Sequence, residues 1–166
     1  MRSDGGALLI GEKYYITTST YRDPNSGSTS TSYHYHYNDI MVININPDNT
    51  VKWATKIPKK QTASSGFYLS YVSHVKDDMV YLIFNDNEKN LDEKNPDKIH
   101  AYDGKNSFAT LVSIQPDGGW DKKALFSNKE VGVIMRPVVS KQINEDELLF
   151  YAEKGNKYVV GKLTFD

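Results

Sequence analysis

The chain has 166 residues, 20 Lys and Arg against 21 Asp and Glu, and no cysteine. One domain with a real core fits that length, while a net charge of −1 excludes the basic surface that nucleic acid or anionic lipid requires. Without cysteine there is no disulfide, thiolate catalysis or Cys-ligated metal, and the 53 Val, Ile, Thr, Phe, Trp and Tyr residues outnumber the 28 Ala, Leu, Met and Glu, so the chain reads as all-β.

The start, Met1 to Gly6, is polar, and the apolar run Ala7-Leu8-Leu9-Ile10 is too short for a signal peptide or a membrane span. A first strand is expected over Ala7–Ile10, a turn at Gly11-Glu12-Lys13, and a second strand over Tyr14–Thr20. A long polar loop from Tyr21 to His36 then leads to strands Tyr37–Ile45 and Val51–Ile57, joined by the Pro47-Asp48-Asn49 turn. In Tyr37–Ile45, Ile40 and Val42 share one face while Met41, Ile43 and Ile45 share the other, the pattern of a strand covered on both sides. Val51, Trp53 and Ile57 alternate with Lys52 and Lys56, which marks a guarded edge strand.

The order then recurs. Strands are expected over Phe67–Val75, Met79–Asn85, Ser107–Ile114 and Trp120–Phe126, with Pro116-Asp117-Gly118 repeating the earlier turn 69 positions on. A third copy runs through Val131–Ile143, bent at Pro137, then Glu147–Glu153 and Lys157–Phe165, and lacks a fourth strand. Residues 1–166 thus read as one all-β domain of four-stranded modules, about 5–58, 66–127 and 130–166. The alternative is a β-sandwich in which two hairpins merely look alike.

The segment Val42-Ile43-Asn44-Ile45-Asn46-Pro47-Asp48-Asn49-Thr50-Val51-Lys52-Trp53 resembles the β-propeller blade repeat of quinoprotein-like and related proteins. In those blades a strand ends in Asp, turns through Gly and reaches a Trp that docks between blades. Asn49 stands where Gly is usual, and Trp120 follows Gly119 directly, which shifts the second aromatic. The resemblance implies a partial propeller of about three blades and no cofactor. It also implies that the two long insertions, Tyr21–His36 and Asp86–Asn106, share one end of the molecule, where insertions mark a binding face.

Candidate ligand contacts lie in those insertions. Tyr33-His34-Tyr35-His36-Tyr37, if extended, puts two imidazoles on one face and three tyrosines on the other. His34 and His36 could share a zinc ion, with His74 or His100 as a third ligand, but neither has recognisable spacing from the pair. The tyrosines suit packing on a neighbour or stacking on a sugar ring. The run Asp86-Asn87-Glu88-Lys89-Asn90-Leu91-Asp92-Glu93 alternates oxygen ligands as a calcium loop does, yet Leu91 replaces the required Gly, Asp97 stands where Glu is usual and strands flank the run, so a solvated loop is expected. His100 and Tyr102 complete the candidate surface.

No Gly-x-Ser-x-Gly elbow, Walker loop or dinucleotide fingerprint occurs. The expected function is a non-catalytic binding or scaffolding module for a protein or a glycan; the alternative is a hydrolase or metal-dependent enzyme built on His34 and His36. Absent cysteine and Tyr/Asn/Ser/Thr-rich loops point to the periplasm or cell surface. Three blades cannot close a ring, so a homodimer, or membership of a longer chain, is expected.

Overall fold

In a computed structural model, described over residues 4–93 and 95–165, the chain is all-β. It forms three antiparallel sheets and a single one-turn helix. The first sheet is the meander β1 (Ala7–Arg22), β2 (Thr29–Ile45) and β3 (Val51–Ala63). The second is the meander β4 (Val72–Lys76), β5 (Met79–Asn87), β6 (Ser107–Ile114) and β7 (Trp120–Ser127). Helix α1 (Asn128–Val131) leads to the third sheet, where β8 (Ile134–Met135) and β9 (Lys141–Gln142) both pair with β10 (Glu147–Lys154), and β10 with β11 (Lys157–Thr164). None of the sheets closes or curls into a propeller.

The second sheet is the middle layer, because β5 is apolar on both faces. Val80, Leu82 and Phe84 join Val112 and Ile114 against Ile40, Val42 and Ile57 of the first sheet. Ile83, with Val72, Ala109 and Leu111, packs against Met135, Leu148 and Phe165 at the third sheet. Period-two alternation thus sends successive side chains of one strand into two different cores.

Several expected elements are corrected. Ala7–Ile10 and Tyr14–Thr20 are one strand, β1; Gly11-Glu12-Lys13 is not a turn but the site of a register shift between Glu12 and Tyr14. Gly11 has no left-handed φ there to reverse the chain. Tyr21–His36 is not a long loop either. β1 and β2 continue as a hairpin arm whose turn is only Asp23–Ser28, since β-branched and aromatic residues fill both strands and favour pairing. The first sheet therefore has three strands, and its outer face is open: Met41 and Leu9 are exposed, so β2 is covered on one side only. The first strand of the second module is β4 alone, without Phe67–Tyr71, and that of the third is split into β8 and β9 around a 3₁₀ turn at Pro137–Val139, where proline removes a ladder donor.

The two Pro-Asp turns are the same structure. Asn46 N–H bonds Thr50 O and Asn49 N–H bonds Asn46 O, while Gln115 N–H bonds Gly119 O and Gly118 N–H bonds Gln115 O. Asp48 and Asp117 each accept from the backbone N–H two residues on. Asn49 (φ 67°) and Gly118 (φ 90°) hold the same left-handed position. The second turn docks on the first sheet: Trp53 Nε1 donates to Pro116 O at 2.9 Å and Thr55 Oγ1 to Gly118 O at 2.7 Å.

A Cβ on Gly118 would lie 2.9 Å from Trp53 Cδ2. Gly118→Ala is expected to lower unfolding free energy by about 1–3 kcal/mol, read as a lower urea midpoint at constant slope. Asn49→Gly, at the solvent-facing equivalent, changes it by less than about 1 kcal/mol.

His74 of β4 is buried, stacked on Phe165 at 4.0 Å between ring centroids, and its Nε2 meets Glu145 O at 2.7 Å. Burial holds its pKa below the ordinary 6.5. The unfolded chain therefore takes up that proton first, and the contribution of neutral His74 is lost as pH falls below 6.5. Denaturant titrations between pH 7 and pH 5 are expected to show this loss, reduced in His74→Phe.

Candidate functional site

The site is built around one irregularity that crosses all three strands of the first sheet. Glu12 pairs with Ile40 but Tyr14 with Tyr37, and Asn38 pairs with Lys60 but Ile40 with Ile57. Each step leaves an extra residue on one strand, as a β-bulge does, and Pro58, which cannot donate, sits at the second. At that level Glu12 and Lys59 meet. Lys59 Nζ lies 2.5 Å from Glu12 Oε1, with the lysine side chain fully buried. It also donates to Tyr37 O and to Gln61 Oε1, both at 2.9 Å.

From there a line of buried amides crosses the layers. Gln61 Nε2 donates to Asn85 O on β5 at 2.7 Å. Asn85 Nδ2 donates to Tyr68 O and to Met135 O on β8. Asn128 Nδ2 on α1 reaches Asn85 Oδ1 at 3.2 Å and Ser107 Oγ at 3.0 Å. Ser70, held at a left-handed φ of 71°, is fixed by its N–H to Gln61 Oε1 and its hydroxyl to Glu12 Oε2. Glu12, Ser70, Ser73, Pro137, Ser140 and Gln142 line an open groove of about 630 Å³.

Beyond the bulge the arm carries the first set of predicted contacts. Tyr33, Tyr35 and Tyr37 lie on one face with Tyr14, and His34 and His36 on the other with Tyr15. Tyr37 is on the same face as Gln61, and its hydroxyl lies near Gly66. Tyr33 is 53% exposed. His36 stacks on Tyr15, and its ring nitrogens meet Thr17 Oγ1 (2.8 Å) and Thr62 Oγ1 (3.0 Å). His34 Nε2 meets Ser19 Oγ at 3.2 Å. Neither His74 nor His100 is brought to this pair, and among the described residues no group of three or more His, Asp or Glu gathers to hold a metal ion.

The second set is corrected in part: Asp86, Asn87 and Asn90 form a buried brace, while Glu88, Lys89 and Asp92 stay exposed as in a solvated loop. Asp86 is buried and forms an ion pair of 3.0 Å with Lys122 Nζ, itself almost fully buried. Its other oxygen accepts from Asn87 N–H and from Asn90 Nδ2. Asn90 exchanges bonds with the His100 backbone in both directions, and Asn87 Nδ2 donates to Ala101 O. The side-chain oxygens of Asp86, Asn87 and Asn90 are thus engaged within the protein. Asp92 and the His100 side chain are exposed; Lys94, in the same loop, lies outside the described residues. Tyr102 is buried, its N–H bonds Lys60 O, and burial pushes its phenol well above the ordinary range. This contact brings the loop against the base of the arm, where Asn38, Asp39, Lys60, Pro96, Asp97 and Ile99 line a small cleft.

Glu12, Lys59, Gln61, Ser70, Asn85 and Lys122 escaped the sequence reading. Part of the signal was there: the alternation that turns Trp53 and Ile57 inward also turns Lys59 and Gln61 inward once β3 is carried past Ile57.

Protein-family models, curated proteins and solved structures contain no match to this chain.

Burial lowers the Lys59 pKa from 10.5 to about 8, with Glu12 opposing the shift. Between those values the unfolded chain binds the extra proton, so stability rises with pH, at up to about 1.4 kcal/mol per pH unit. Tyr37, Tyr71 and Tyr102, all held above 10.0, act in the opposite sense from the point where unfolded tyrosines ionise. Urea titrations from pH 8 to pH 9.5 are therefore expected to show a net rise of about 1 kcal/mol that is absent in Lys59→Met.

Proposed function

We propose that the chain is a non-catalytic binding module that takes an uncharged glycan on the tyrosine face of its arm. One observation carries this reading. From Tyr14 to Tyr21 and from Thr29 to Tyr37 the arm has no Asp, Glu, Lys or Arg, only Tyr, His, Ile, Ser and Thr. A surface without charge gives no attraction to phosphate, anionic lipid or acidic polymer. Exposed Tyr14 and Tyr33 offer ring faces for sugar C–H groups, and the neighbouring hydroxyls of Thr18, Thr20 and Thr31 offer both donors and acceptors.

In this reading the sheets are blade-like units of a partial propeller, and the buried amide line is the rigid base from which the arm projects. The turn repeated at 69 residues, the Trp53 contact between layers and the face-to-face stacking support it. A hydrolase or metal enzyme using His34 and His36 would need a third ligand from a partner or from elsewhere in a longer chain.

Affinity electrophoresis through gels containing neutral polysaccharides tests the proposal. Retardation by at least one such polymer is expected, with affinity reduced about tenfold in Tyr33→Ala. Migration unaffected by every neutral polymer tried, or retardation that Tyr14→Ala and Tyr33→Ala both leave intact, would remove the arm as the site.

A further inference from the structure

We infer that two copies of the chain join along the outer edges of their β1 strands, antiparallel, with the two-fold axis at Thr18. This concerns the edge of the arm and is independent of what binds its face.

The edge is open. β1 is the outermost strand of its sheet, and every residue from Lys13 to Arg22 is exposed. Asp23 N–H bonds Ser28 O at the end of the arm. Counting back through the ladder, the alternation of antiparallel bonding turns the N–H and C=O of Arg22, Thr20, Thr18, Ile16 and Tyr14 outward. β3 reaches only to the level of Tyr35, so the outer arm is a two-stranded ribbon, a form of marginal stability on its own.

Four of the other sheet edges are guarded. Exposed Lys52, Lys56 and Lys60 and the proline Pro58 stand on β3, Lys123 on β7, and Lys157 and Lys162 on β11. On β4 the Gln142 carboxamide accepts from Val75 N–H and donates to Val75 O, covering that edge. β1 between Lys13 and Arg22 has no charge at all.

The occupant is a second copy because this edge complements itself. A two-fold axis at Thr18 sets Thr18 opposite Thr18, Thr17 opposite Ser19, Ile16 opposite Thr20 and Tyr15 opposite Tyr21 of the second copy. These are aromatic, hydroxyl and β-branched pairs of the kinds that stabilise a sheet. The same register sets Lys13 opposite Asp23 at both ends, a charge match. Moving the axis to Ile16 or Thr20 loses both the Tyr15–Tyr21 and the Lys13–Asp23 pairs. Joined this way, two marginal ribbons become one four-stranded sheet.

The chain has no cysteine, so Thr18→Cys introduces a single thiol at the axis, opposite its own copy at about 5.5 Å between Cα atoms, within disulfide range. Sedimentation equilibrium of the native protein at micromolar concentration is expected to give twice the 18.8 kDa chain mass. Mild oxidation is expected to convert Thr18→Cys to a covalent dimer while Lys123→Cys, on the β7 edge, stays single. Thr18→Lys, which opposes like charges at the axis, is expected to halve the mass with an unchanged far-UV spectrum. A native protein that sediments as a monomer overturns the proposal. So does a dimer in which Thr18→Cys cross-links no better than Lys123→Cys, which would place the interface on another surface.

Discussion

A lysine ammonium buried between sheets has to be neutralised and hydrogen-bonded, and much of this molecule's architecture follows from how Lys59 meets that demand. Glu12 supplies the opposite charge, Tyr37 a carbonyl, and Gln61 an amide oxygen. Gln61 in turn needs a partner for its own N–H and finds it on β5, and Asn85 beside it binds backbone carbonyls at Tyr68 and at Met135 of the third sheet. A buried ion pair of this kind is weak evidence of net stability, because desolvation offsets most of the attraction. Its effect is to make other arrangements costly. Sliding the first sheet over the second would strand several polar groups at once, whereas the apolar contacts of Ile57 and Leu82 would tolerate small shifts.

The second brace uses the same chemistry on the face of the middle sheet that meets the first. Asp86 and Lys122 pair inside the protein, and Asn90 ties the long loop to itself through the His100 backbone. A stretch whose alternating oxygens suggest a cation site is held instead by the protein's own cation and amides. The loop then rests on β3 through Tyr102, so both insertions end up at one end of the molecule. There the bulge level, the brace and the base of the arm are contiguous, which gives the arm a rigid root although its outer part is only two strands wide.

Layer stacking leaves a different constraint at the extremities. The middle sheet is covered on both faces, but the first and third sheets are end layers, with Leu9 and Met41 on one outer face and Leu149, Tyr158 and Val160 on the other. The turn at Pro116–Gly118 closes the first interface by letting backbone approach the Trp53 ring without an intervening side chain. Phe165 closes the second by stacking on His74, while Lys76 holds the Phe165 carbonyl and the Asp146 carboxylate.

The β class, the strands of the second sheet from β5 to β7, and the equivalence of the two Pro-Asp turns were legible in the amino-acid sequence, because each rests on local chemistry: period-two alternation, β-branched content, and a turn residue that tolerates left-handed φ. So was the division of the arm into a tyrosine face and a histidine face, which alternation alone dictates. The rest was decided in three dimensions. Whether Gly11-Glu12-Lys13 turned the chain or bulged within a strand depended on the pairing of β2, far along the sequence. Whether Asp86 and Lys59 were solvated or buried depended on Lys122 and Glu12, which only the pairing of strands within each sheet brings within bonding distance. A charge reads as surface until its partner is known, and partners tens of residues apart leave no local pattern to read.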